Sequence, residues 1–90
     1  MFKIENLLFT SPNGETILFD NFVKETHDDY MAERPYWAEM CPACRKKYRN
    51  ILAGHFDEGG FGACSVAGCN NEADYYVDFF STDNVKIVEE

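Results

Sequence analysis

Ninety residues, 46% of them hydrophobic and 16% aromatic, suffice for one domain and are too apolar for a solvated tail, although a core of this size is marginal without a staple. Sixteen Asp and Glu against eight Lys and Arg leave a formal charge of −8, which sets most of the surface against a phosphate backbone. The start, Met1-Phe2-Lys3-Ile4-Glu5-Asn6, has no basic region running into a long apolar one, and no apolar stretch reaches membrane-spanning length, so a cytoplasmic protein without membrane contact is expected.

Phe2 to Phe9 and Glu15 to Phe19 are β-prone runs joined by Ser11-Pro12-Asn13-Gly14, where Pro presets φ and Gly tolerates a positive one, and they predict a β-hairpin. From Asp20 to Glu33, Phe22, Val23, Tyr30 and Met31 recur at near-helical spacing behind an Asp20 or Asn21 cap, and Pro35 discourages continuation. A short helix is expected there. Tyr36, Trp37 and Met40 follow as a bulky apolar flank, expected to pack as core around the cysteines that come next.

Cys41-Pro42-Ala43-Cys44 opens the strongest helical pattern, with Tyr48, Ile51, Leu52 and His55 on one face and Arg45, Lys46, Lys47 and Arg49 over the rest. Ile51 and Leu52 should be buried while Lys46 and Lys47 stay in water. Asp57-Glu58-Gly59-Gly60 is expected to end that helix and begin a flexible connection to the second cysteine pair, Cys64-Ser65-Val66-Ala67-Gly68-Cys69. Ala73 to Phe80 sets Tyr75, Val77 and Phe79 against Asp74, Tyr76, Asp78 and Phe80. Val85 to Val88 lies across Ser81-Thr82-Asp83-Asn84, and the two runs predict a second hairpin. No repeat or linker divides the chain, so the expected architecture is a single α+β domain over residues 1–90. It would be zinc-stapled, with two β-hairpins, about two helices and a metal core over about residues 40–80.

Cys41, Cys44, Cys64 and Cys69 supply one full tetrahedral set of soft ligands, and each short spacer lets two sulfurs from one turn reach the same ion. One structural zinc per chain is expected, with four protein ligands and no open position for Lewis-acid chemistry. Ligand type alone leaves iron open. Two disulfides in a secreted domain, or a redox pair at Cys41 and Cys44, are the other readings of the same residues. His27 and His55 are spare beside four thiolates.

A CxxC that opens a helix, followed by a Gly-containing C-x4-C knuckle that feeds a strand, resembles small zinc-ribbon and treble-clef-like proteins of bacteria and phages. The likeness covers about Met40 to Phe80, with the helix here preceding the knuckle where the treble clef usually has the reverse order.

Half of the basic residues lie between Arg45 and Arg49. That leaves four Lys and Arg against sixteen Asp and Glu elsewhere, a net of minus twelve. The cluster is read as compensating the thiolate centre and solvating its helix. Acidic neighbours such as Asp28-Asp29 and Asp57-Glu58 lack a His or Ser motif, and no phosphate loop is present, so no enzyme is expected. The leading expectation is a non-catalytic, zinc-stabilised protein-interaction module without direct nucleic-acid binding. Its partner would be a protein with a basic surface, taken up through Asp74, Asp78 and Tyr76. By analogy with phage-encoded inhibitors, including anti-CRISPR proteins, such a module can act as an acidic decoy in a basic nucleic-acid groove. The alternatives are a nucleic-acid-binding zinc ribbon that uses the Arg45–Arg49 cluster and a CxxC redox protein.

Overall fold

Alternation decides the first strands. In β1 (Glu5–Thr10) Leu7 and Phe9 point inward and are almost wholly buried, and in β2 (Thr16–Phe19) Ile17 and Phe19 do the same. The two pair antiparallel from Leu7↔Phe19 to Thr10↔Thr16, as the hairpin reading expects. The turn is closed by Ser11, whose amide donates to the Glu15 carbonyl at 2.7 Å while its hydroxyl accepts from the Glu15 amide at 3.0 Å. The computed structural model describes residues 5–25, 33–60 and 62–89.

The remaining described elements are β3 (Val23–Lys24), β4 (Tyr36–Met40), α1 (Pro42–Tyr48), β5 (Phe56–Glu58), β6 (Tyr75–Phe79) and β7 (Asn84–Glu89). They form an α+β domain of two antiparallel sheets. Sheet A has the order β2-β1-β7 and sheet B the order β3-β4-β6-β5. The sheets meet through Leu7, Phe9, Ile17 and Phe19 on one side and Ala38, Met40, Val77 and Phe79 on the other. Phe79 carries much of this contact, its ring lying 5.2 Å from that of Phe19 and 5.7 Å from that of Phe9. Edge and tilted contacts of this kind add to the area that aromatic rings remove from water.

Four expectations are corrected. Asp20 to Glu33 does not begin as a helix: Val23 and Lys24 are a strand paired with Trp37 and Tyr36, because a β-branched residue beside a waiting strand gains more from cross-strand contact than from a helical turn. The rest of that expected helix, 26–32, lies outside the described residues.

The helix after Cys44 is shorter than its apolar face implies, ending at Tyr48. An i to i−4 bond from the Leu52 amide to the Tyr48 carbonyl carries the winding into the turns that follow. Leu52 is therefore buried and Ile51 half-buried, with Lys46 and Lys47 exposed.

Asp57 and Glu58 belong to β5, not to a flexible connection. Phe56 and these two residues take up the edge of β6 that β4 leaves open.

Finally, β6 and β7 exist but are not partners, so only one of the two expected hairpins forms. β6 is flanked by β4 and β5, and β7 crosses to sheet A to pair with all six residues of β1. The turn at Phe80 to Asp83 makes the crossing, with the Asp83 carboxylate accepting from the Phe80 amide at 2.7 Å.

Candidate metal centre

Four thiols converge where α1 starts. Cys41 caps the helix: its extended backbone turns into Pro42 at the first helical position, and its sulfur accepts from the Cys44 amide at 3.4 Å. One helical turn later Cys44 presents its own sulfur on the same side. The knuckle brings the other pair, closed by the Cys69 amide on the Val66 carbonyl at 3.0 Å and by Gly68 at φ +82°, a left-handed conformation that a side chain would strain. All four Sγ atoms lie within 4.8 Å of one another. Cys69 stands 3.7 Å from both Cys41 and Cys44, and none of the four is in a disulfide. Tetrahedral thiolate coordination with bonds of about 2.3 Å sets ligand sulfurs about 3.8 Å apart, so the four residues fit a single metal ion.

The surroundings of the sulfurs shift the thiols in opposite directions. Burial raises the Cys41 thiol, but hydrogen bonds from the Cys44 amide, from the Cys44 and Asn71 side chains and from Cys69 outweigh it and bring it down to about 7. Burial pushes Cys44 up, and its hydrogen bonds to Cys41, Cys64 and Cys69 push the same way. Cys64 is also raised by burial, against amide hydrogen bonds from Cys41 and Val66 that favour its anion. Crowded thiols of this kind cannot all ionise alone. A divalent cation among them supplies the charge that makes four thiolates compatible.

The knuckle is held by both sheets. The Asp20 amide donates to the Ser65 carbonyl at 2.9 Å, the Ala67 amide donates to Leu18 of β2 at 2.9 Å, and Val66 bridges Phe19. On the other side the Ser65 amide donates to the Glu39 carbonyl of β4 at 2.8 Å. The Ser65 hydroxyl accepts from the Glu39 amide at 3.0 Å and donates to Asn21 at 2.7 Å. Ser65 and Asn71 are the residues that sequence reasoning missed. Both are small polar residues in loops, and nothing in their spacing marks them as supports.

The other singled-out residues separate. Arg45 does not face the thiolates: its guanidinium lies over the rings of Tyr75 and Phe56, at 4.7 and 5.2 Å. Lys47 sits 5.1 Å above Tyr48, so the basic cluster is partly consumed within the fold. His55 packs among Phe9, Phe79 and Phe80, with Nε2 2.9 Å from the Asp83 carboxylate. His27 lies outside the described residues. Asp74 is exposed and Tyr76 half-buried, whereas Asp78 is only 7% exposed and pairs with Arg34 at 3.3 Å. The carboxylate of Asp78 is thus not the freely exposed group that its strand alternation predicts.

Among the described residues no helix is long and apolar enough to cross a membrane. No family model matches the chain, and no curated protein or solved structure matches it.

Proposed function

We propose that the chain is a zinc-stapled, non-catalytic interaction module that presents an acidic surface to a basic protein partner. Zinc is the metal the ligand set favours, since four thiolates in a closed site suit a redox-inert ion with no geometric demand of its own. One such ion would hold both sheets through the knuckle and leave no coordination position for chemistry. The observation that carries the partner class is charge. A formal −8 becomes about −10 once a four-thiolate zinc centre of −2 is included, a field that repels phosphate and speeds encounter with positive surfaces.

Two further observations support this over its rivals. Arg45, the first residue of the basic run, is stacked on aromatic rings and so has less reach toward a phosphate. Cys41, the thiol with the lowered pKa, is also 0% exposed, whereas an attacking redox thiol must be accessible. A basic groove that normally holds nucleic acid is the kind of surface such a module fits, and occupying it would make the protein a decoy.

The test is a gel-shift series with duplex DNA and RNA beside a competition assay against a basic nucleic-acid-binding protein. At physiological salt the chain should shift neither nucleic acid. It should displace nucleic acid from the basic protein less effectively as the screening length falls toward 8 Å or below. Tight binding to nucleic acid that disappears when Arg45, Lys46, Lys47 and Arg49 are replaced would reject the proposal in favour of a nucleic-acid-binding ribbon.

A further inference from the structure

Sheet B has a face that does not enter the core. Residues two apart in a strand share a face, so Trp37 and Glu39 of β4 lie on the same side as Tyr76 and Asp78 of β6, and pairing sets Val23 beside Trp37 and Asp57 beside Tyr76. Asp74 continues the alternation just before β6. Val23, 42% exposed, is the one exposed large hydrophobic among the described residues. Trp37 and Tyr76 meet edge to face at 5.4 Å and 88°. The apolar strip is therefore bordered by four carboxylates, those of Glu39, Asp57, Asp74 and Asp78. Arg34, paired with Asp78, answers part of this charge.

Resting on the reading of an acidic module, we propose that this face docks an arginine-bearing basic segment of the partner, with a guanidinium laid on the Trp37–Tyr76 pair and against the carboxylates of Glu39, Asp57 and Asp74. A planar guanidinium combines stacking on rings with forked hydrogen bonds to carboxylates, which an ammonium cannot do. The fold already lays two of its own guanidiniums on aromatic rings, and one of them, Arg34, also meets a carboxylate. Arg45 lies over Tyr75 and Phe56, and Arg34 lies 5.2 Å over Phe80 while pairing with Asp78. A second copy of the chain would bring carboxylates against carboxylates, and nucleic acid would bring phosphates, so charge complementarity selects the basic segment.

Trp37 is the single tryptophan of the chain, and its emission reports on the face directly. The full chain is titrated at low ionic strength with an oligoarginine peptide and with an oligolysine peptide of equal length. A saturable emission change is expected, with the arginine peptide binding more tightly. Asp57→Lys with Asp74→Lys should weaken it about tenfold, whereas Glu15→Lys with Asp20→Lys, an equal change of charge at exposed positions flanking β2, should leave it nearly unaltered. Equal weakening by both pairs, or undiminished binding by the first, would overturn this face and leave the basic-partner reading standing. Absence of salt-sensitive binding by the unaltered chain would overturn both. Asp57→Asn with Asp74→Asn, which keeps side-chain volume, gives the same ranking should the lysine pair fail to fold, and thermal melts report folding of every variant.

Discussion

Asp78 is held away from water between like and unlike charges, and the balance goes against its anion. Burial comes first, the hydrogen bond and repulsion from Asp57 add to it, and the attraction of Arg34 and His55 offsets only part, so its pKa rises from 3.8 to about 6. The sign follows from proton counts. Between those values the folded chain keeps a proton that the unfolded chain has lost, so the contribution of this group to stability is full below about pH 4 and is lost as pH rises through about 6. Asp78→Asn mimics the protonated form. Its melting temperature should match that of the unaltered chain near pH 4 and equal or exceed it at neutral pH. A variant whose deficit instead grows toward pH 7 would show that the Arg34 pair outweighs desolvation.

At the scale of elements, Leu52 separates helix from burial. It lies beyond the last residue of α1 and is nonetheless fully buried, whereas Lys46 within α1 is exposed. Leu52→Ala should cost about 2 to 5 kcal/mol in denaturant melts, and Lys46→Ala about 0.5 kcal/mol or less. Comparable costs would mean the apolar face is misassigned. The same residues show what the sequence made legible. Apolar spacing identified Leu52 as core because burial follows side-chain periodicity. It overran the helix end because Gly54, at φ +86°, and the open edge of β6 turn the chain into β5. The first hairpin was readable from its turn chemistry, and the four cysteines from their spacing. The pairing of β7 with β1 was not, since it joins residues at opposite ends of the chain and no local pattern records which edge a strand will find. Nor was the role of Ser65, which depends on two sheets meeting around it.

For the whole molecule, the centre lies where the two sheets are tied together. The knuckle bonds to β2 on one side and β4 on the other, and α1 with its cap carries the remaining two thiols. A metal bound there gains its energy only in the folded chain, so its binding energy is folding energy, of order 10 kcal/mol for structural zinc in small peptides. Cys44→Ser, and likewise a strong chelator, should then abolish the cooperative thermal transition. Persistence of the unaltered melt in either case would show that the core stands without the ion. The most direct test is the intact mass of the purified chain, measured under native and then denaturing conditions. The account predicts one zinc per chain in the native state and four free thiols after denaturation. A native mass without stoichiometric metal, or a denatured chain carrying disulfides, would contradict it.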